Sequence, residues 1–316
     1  MTGAGGFIGH HLVTALKRRG HWVRGADLKR PEYTAVDADE FLIADLRDPD
    51  AAAAAVDGID HVYALAADMG GMGFISANHA TILRNNALIN INTIEAARNA
   101  GVSRYLFSSS ACIYPEYRQS TADIAPLKEE DAYPAEPQDA YGWEKLISEQ
   151  LCTHYRDEFG LETRVVRFHN IYGEYGTYDG GREKAPAALC RKVALAEPGG
   201  TVEIWGDGEQ TRSFCHVDDC VEGILRLMDS DHHEPLNLGR DEMVSINELA
   251  ETIIEISGKE GLEIVHVDGP QGVRGRNSDN TRLRDVLGWE PAIDLRTGLT
   301  RTYRWIEEQV RERVGA

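Results

Sequence analysis

Short apolar runs alternate with amphipathic stretches through the first half of the chain. Residues 21–26, 40–44, 61–66, 104–108 and 163–168 are rich in β-branched, aromatic and aliphatic side chains and read as strands. Between them, residues 10–19, the alanine-rich 48–56, 78–100 and 140–159 space their apolar positions at helical intervals. This alternation predicts an α/β fold of Rossmann type, a doubly wound parallel sheet with helices on both faces. Beyond Asn170 the texture changes to loops punctuated by Gly and Pro, a helix over 185–196 and short strands around Val202 to Trp205. The expected division is a nucleotide-binding domain over 1–170 and a smaller α/β substrate portion over 171–316, partly interleaved with the first. No internal repeat or low-complexity linker separates them.

The sequence opens on Met1-Thr2 and runs at once into Gly3-x-x-Gly6-x-x-Gly9. That leaves no room for the strand that normally feeds such a turn. Either the first strand is truncated or the start codon lies upstream, and an extended chain would then be more stable or bind its cofactor more tightly. Glycines at these spacings let the backbone turn tightly and approach a pyrophosphate at a helix N-terminus, with Phe7 and Ile8 in the same turn. Asp27 stands at a strand end 18 residues beyond Gly9, where a carboxylate accepts hydrogen bonds from an adenosine ribose. The pattern points to a dinucleotide. Asp27 favours NAD over NADP, while Lys29 and Arg30 beside it leave NADP open. Asp45, closing the next strand, either reaches the adenine or caps a helix.

Composition narrows the partners. Of 316 residues, 33 are Lys or Arg and 52 are Asp or Glu, a net charge of −19 that disfavours nucleic acid. Hydrophobic residues make up 42%, enough to bury a sizeable core. Cys112, Cys152, Cys190, Cys215 and Cys220 form an odd set with no CxxC pair, which suggests free thiols in a reducing compartment. No window approaches the ~18 apolar residues of a membrane span. A soluble, cytoplasmic protein without membrane contacts is expected.

Tyr141-x-x-x-Lys145 places a phenol and an amine on one helix face. Bringing a phenol from its usual pKa of about 10 to near 7 takes ~4 kcal/mol. One cation at about 4 Å supplies that amount at an effective dielectric of about 20. Lys145 is therefore sufficient in principle, and Ser110 at the end of a strand completes a Ser-Tyr-Lys set.

Together these motifs resemble the extended short-chain dehydrogenases/reductases that act on nucleotide sugars, and within them the GDP-mannose 3,5-epimerases. The likeness runs over nearly the whole chain. Its carriers include Ala67-Asp68-Met69-Gly70-Gly71-Met72-Gly73, Ser109-Ser110-Ala111-Cys112-Ile113-Tyr114-Pro115, Arg167-Phe168-His169-Asn170, Gly181-Arg182-Glu183-Lys184-Ala185, Gly208-Glu209-Gln210-Thr211-Arg212 and Arg274-Gly275-Arg276. The resemblance implies bound NAD, with Tyr141 as the base for oxidation at the hexose C4. It further implies Cys112 and Lys184 as the acid-base pair acting on the carbons beside the resulting ketone. Unperturbed pKa values are about 8.5 for a thiol and about 10.4 for an amine, and a cationic neighbourhood lowers both. Cys112 also has a plainer reading, as a small buried residue after a strand.

Substrate contacts implied in the same way are Gly70, Ser110, Ala111, Cys112, Asn170, Glu183, Lys184, Ala185, Lys192, Gln210, Arg212 and Arg276, with Arg274 as an alternative to Arg276. Lys184, Lys192, Arg212 and Arg276 would form a basic patch within an acidic protein, since distant carboxylates are screened beyond about 8 Å at physiological salt. By the same likeness the helices around 85–100 and 140–159 pack against their copies in a homodimer, although Leu146, Ile147 and Leu151 could instead face the chain's own sheet. Two features depart from the pattern besides the truncated strand. A C-terminal extension is lacking, and Trp143 fills a spacer position where a smaller aliphatic residue is usual.

Other constellations carry less. Cys215-His216-x-x-x-Cys220 matches no zinc spacing and reads as buried thiols, so no metal is expected. His232-His233 reads as a solvated loop. Competing functions are a 4-epimerase or 4,6-dehydratase of another nucleotide sugar, and a non-catalytic NAD(H)-sensing module. Cys112 argues against the dehydratase, which needs an acid, and the Tyr141-Lys145 pair argues against the sensor.

Overall fold

The computed structural model describes residues 1–314. The first half runs α1 (Phe7–Arg18), β1 (Arg24–Asp27), β2 (Glu40–Ile43), α2 (Pro49–Val56), β3 (His61–Ala64), α3 (Met72–Ala77), α4 (His79–Asn99), β4 (Arg104–Ser110), α5 (Ala140–Phe159) and β5 (Glu162–Phe168). Three short 3-10 turns, Ala111–Ile113, Glu116–Gln119 and Glu129–Ala132, carry the chain from β4 to α5. The second half contributes β6 (Ile171–Tyr172), α6 (Ala185–Leu195), β7 (Thr201–Trp205), β8 (Thr211–Ser213), β9 (Cys215–His216), α7 (Val217–Asp229) and β10 (Leu236–Leu238). It closes with β11 (Met243–Ser245), α8 (Ile246–Ser257), β12 (Glu263–Val267), β13 (Gly275–Arg276), α9 (Thr281–Leu287) and α10 (Leu295–Val314).

The main sheet is parallel throughout, with β2 beside β1 and, on the other side, the order β3-β4-β5-β10. Thr2 joins the two blocks through parallel bridges to Ala26 in β1 and to Ala64 in β3. Its amide donates to Tyr63 O at 3.0 Å, and Gly3 N donates to Ala26 O at 2.9 Å. Met1 and Thr2 thus stand between β1 and β3, where Met1 O also accepts from Ala26 N at 2.9 Å. Because β10 pairs with β5, and Val221, Ile224 and Leu225 of α7 pack in one core with Leu12 and Leu16 of α1, the chain returns to the first sheet after entering the second region. A separate core of Leu189, Val193, Ile204, Leu249, Ile253 and Ile306 holds the substrate-side helices together.

Local chemistry explains most element ends. Asp139 caps α5 by accepting from Gly142 N at 2.9 Å, and Gly160, at φ 74, ends it in a left-handed turn. Ser245 and Glu248 form a capping box at the start of α8. Where sequence and structure differ, the differences are short. β1 begins only at Arg24, and β4 runs on to Ser110 because Ser109 and Ser110 stay in register with Arg167 and Phe168 of β5. His232 and His233 are half-buried instead of solvated, and His233 Nδ1 lies 3.0 Å from Nη1 of the buried Arg164. Among the described residues no helix is long and apolar enough to cross a membrane.

Candidate active site

The turn between Thr2 and α1 is shaped by close backbone approach. A Cβ on Gly9 would lie 1.9 Å from Gly3 O, and one on Gly5 would lie 1.9 Å from Lys29 O. α1 starts at Phe7 with no side-chain cap, so the amides of Phe7 and Ile8 point out from the positive end of the helix. Gly5, Gly6, Phe7, Lys29, Tyr33 and Tyr175 line the cavity in front of them. Asp27 accepts from Gly5 N at 3.0 Å and from Lys29 N at 3.2 Å, which leaves lone pairs on both carboxylate oxygens. Burial pushes its carboxyl up, against the pull of those amides. An uncapped helix end beside a partly buried carboxylate, with no room for a Cβ between them, fits a dinucleotide.

Asp45 does not cap α2. That role falls to Asp48, which accepts from Asp50 N at 3.0 Å. The Asp45 carboxylate is held by Arg47, at 2.9 Å from Nε and 2.6 Å from Nη2, and this pair holds its pKa below the usual carboxylate range.

Tyr141 sits in the first turn of α5, 6% exposed, with its phenol near Ser110. Lys145 is buried one turn later, its Nζ 5.6 Å from the Tyr141 ring centre and 4.7 Å from that of Phe107. The phenol is pushed well above its ordinary value, first by burial and then by Cys112, Glu144 and Asp139, with only Ser110 opposing. The sequence estimate with one cation is therefore incomplete. The deficit has the sign that positive charge from an oxidised nicotinamide would offset.

Cys112 lies in the 3-10 turn that follows β4, its amide bonded to Ser110 Oγ at 3.2 Å. Gly142 brings it beside Tyr141, since a Cβ there would come within 2.2 Å of Cys112 O. The sulfur accepts from Arg276 Nη1 at 3.3 Å, and Arg276 Nε donates to Gln119 Oε1 at 2.6 Å. Arg276 stands opposite Arg212 on the paired strands β13 and β8. Burial, and then the Arg276 charge, push Arg212 down to about 9. Lys184, the residue before α6, is an exposed residue whose amine lies within electrostatic reach of Cys112 and Arg276. Burial pushes its amine down and Arg276 adds to this, against the pull of Cys112 and Cys220. Among the described residues no carboxylate pairs with Lys184, Arg212 or Arg276. Unmatched positive charge around a thiol is a site for an anionic ligand.

The remaining expected contacts divide. Asn170, at φ 47, bonds Ser213 O at 2.8 Å, and Gln210 donates to Trp205 O at 3.2 Å while its Oε1 is buried without a partner. That acceptor is available to a ligand donor. Gly70 packs on Phe74, and Ala111 and Ala185 flank Cys112 and Lys184 in sequence. Glu183 accepts from Gly181 N at 2.7 Å and from Arg191 at 3.4 Å, so its carboxylate is engaged within its own loop. Lys192 stands apart, bonded to Glu203 O at 2.7 Å and 6.0 Å from the Trp205 ring centre. Arg274 is clamped by Asp207 at 2.7 and 2.9 Å, which leaves Arg276 as the arginine at the thiol. Cys215 and Cys220 are core thiols, and His216 uses Nδ1 to accept from Asp218 N and Nε2 to bond Glu174.

Several residues of the site carry no sequence signal of their own. Gln119 reaches Arg276 across 157 positions, and Arg182 bonds Asp68 at 3.0 Å while lying over Phe74 at 3.8 Å. Glu144 is buried against Lys145. Only Gly142 had a cue, because glycine in the first turn of a helix is unfavourable unless something approaches closely.

Comparison with known proteins follows the same lines. Over 312 residues the chain is 55% identical to GDP-mannose 3,5-epimerase 1 of Oryza sativa subsp. japonica, covering 98% of this chain and 82% of the relative. UDP-glucose 4-epimerase from Thermotoga maritima, solved with UDP-glucose, superposes with a TM-score of 0.88 at 27% identity over 98% of both chains. MoeE5, solved in complex with UDP-glucose and NAD, gives 0.82 at 29% identity over 98% of both. The signature of one family matches residues 1–239, and with the Rossmann-type sheet, the glycine turn and the Ser110-Tyr141-Lys145 set in place, the chain belongs to the NAD dependent epimerase/dehydratase family.

Proposed function

We propose that this chain converts GDP-mannose to GDP-L-galactose, with GDP-L-gulose as the product of inversion at C5 alone. NAD, when bound, would supply a hydride acceptor for C4 that is regenerated over the cycle and not consumed. Gly3, Gly6, Phe7, Ile8, Gly9 and Asp27 hold that cofactor, and Asp45 borders the adenine. Residues 1–170 form its domain, joined by α7 and β10, and the rest of 171–316 serves the nucleotide sugar.

Tyr141 takes the proton of the C4 hydroxyl while Ser110 and Lys145 fix the phenol. The 4-ketone then acidifies the hydrogens on C3 and C5, and epimerisation needs a base on one face of the ring and an acid on the other. Cys112 and Lys184 fill these roles, and Arg212 and Arg276, with Lys192 further out, neutralise the diphosphate. The observation that carries this reading is the thiol of Cys112 bonded by Arg276 and within electrostatic reach of both Lys184 and Tyr141. A 4-epimerase has no use for such a pair.

The test is exchange with solvent. Protein incubated with GDP-mannose in D2O should return sugar labelled at C3 and C5. Inversion at C4 without label at either carbon would replace this reading with a 4-epimerase.

A homodimer through α4 and α5 is part of the proposal. Leu88, Ile91, Trp143 and Ile147 leave an apolar strip exposed there, whereas Leu146 and Leu151 turn inward. Five unbridged cysteines favour the cytoplasm.

A further inference from the structure

Glu144 is 2% exposed, packed between α5 and α4. Its Oε2 accepts from Asn90 Nδ2 at 2.9 Å, and its Oε1 is shielded from solvent and has no hydrogen-bond partner. That free oxygen lies 3.7 Å from Nζ of Lys145. The other groups around it on α4, Asn86 and Asn90, are uncharged, and on α5 the neighbours are Ser148 and Tyr141. Glu149, the next carboxylate along α5, is taken by Arg167 at 2.7 Å. Cys112 and Asp139 act on Tyr141 from the 3-10 turn and the helix cap.

A buried carboxylate with one oxygen unbonded is a costly way to fill space between two helices. A leucine would do it better. Resting on the reading of Tyr141 as the C4 base, we propose that Glu144 is a positioning residue, which holds the Lys145 ammonium and offsets its charge so that the phenol can return the proton it takes. The chemistry requires such a balance. A dehydrogenase that releases its ketone gains from a phenol that ionises readily, because the proton it takes is passed on to solvent and never returned to the sugar. An epimerase must run the step both ways. The proton that leaves the C4 oxygen for Tyr141 goes back to that oxygen when hydride returns to C4. Lys145 alone drives the phenol toward its anion, and a carboxylate beside the ammonium restrains it.

The test is the ultraviolet tyrosinate titration of the NAD-loaded protein, with Tyr141→Phe subtracting the other tyrosines. Glu144→Gln keeps the size and the Asn90 contact. It should raise the phenolate fraction of Tyr141 at a given pH by about tenfold. With GDP-mannose present, the variant should also hold more of its nicotinamide in the reduced form. Superimposable titrations of variant and wild type would overturn the proposal. Should Glu144→Gln fail to fold, Asn90→Ser withdraws the donor that steadies the carboxylate and should move the titration the same way by less; no movement refutes the proposal equally. If the wild type shows no reduced nicotinamide with GDP-mannose, the substrate reading fails while the titration still decides the role of Glu144.

Discussion

Arg276 donates to the sulfur of Cys112 at 3.3 Å, although the two residues stand 164 positions apart. The contact ties the 3-10 turn after β4 to β13, and so links the nucleotide-binding sheet to the substrate-side strands through the thiol proposed as one of the acid-base pair.

Replacement of Cys112 by Ser should lower deuterium incorporation into the sugar by about a hundredfold or more, the usual scale for loss of a general acid or base. NAD content should stay at the wild-type level. Proton NMR of recovered sugar and release of bound nucleotide by heat measure the two quantities. Equal loss of both would make Cys112 a structural residue.

The buried pair of Arg167 and Glu149 is a matter of stability. Arg167 Nε and Nη2 donate to the two carboxylate oxygens at 2.9 and 2.7 Å, and both side chains are about 2% exposed. Glu149→Ala leaves an uncompensated buried guanidinium and should cost about 3–5 kcal/mol in urea unfolding. A loss well under 1 kcal/mol would mean that water reaches the site.

His169 makes stability depend on acid. It is fully buried, with Nε2 at 2.9 Å from Asn237 Oδ1, and burial lowers its pKa from 6.5 to about 3. Between these values the unfolded chain binds a proton that the native state refuses, so stability falls as pH drops from 6.5 toward about 3. The slope is about 1.4 kcal/mol per pH unit. His169→Asn should remove that slope, and the stability gap between wild type and variant should narrow from about pH 7 to about pH 4. A gap that does not change would show that the imidazole is not held neutral.

In the glycine turn, Gly5→Ala should weaken NAD by tenfold or more, because the new methyl would meet Lys29 O at 1.9 Å and displace the loop that carries Asp27. Calorimetric titration with NAD measures this. Unchanged affinity would show that the loop yields without disturbing Asp27.

Ile147→Glu tests the dimer. The side chain is 56% exposed on α5, so the change should be harmless to a monomer. Sedimentation velocity should show a shift from dimer to monomer, and an unaltered dimer would place the interface elsewhere.

Much of this was legible in the sequence where the signal is local. Asp139 and Gly160 bracket α5 at the expected residues, and Gly3, Gly9 and Asp27 mark the cofactor turn by spacing alone. Non-local geometry was not legible. Whether Arg274 or Arg276 meets the thiol depends on Asp207 capturing the first and on Gln119 holding the second. Charge on Tyr141 was underestimated because Glu144 and Asp139 act through space, and a motif of Tyr and Lys does not record them. β4 runs two residues past the apolar run that ends at Ser108, because pairing with β5 overrides the weak strand preference of serine.

Gly142 gives the site a constraint. Because its missing side chain is what allows Cys112 to lie against α5, the proposed redox and acid-base groups share one mechanical support. An added side chain would press first on the turn that carries Cys112 and on Pro137. Trp143 next to it is 41% exposed and faces away, on the apolar strip of the proposed dimer. The placing of the Cys112 turn depends on a single methyl group that is not there.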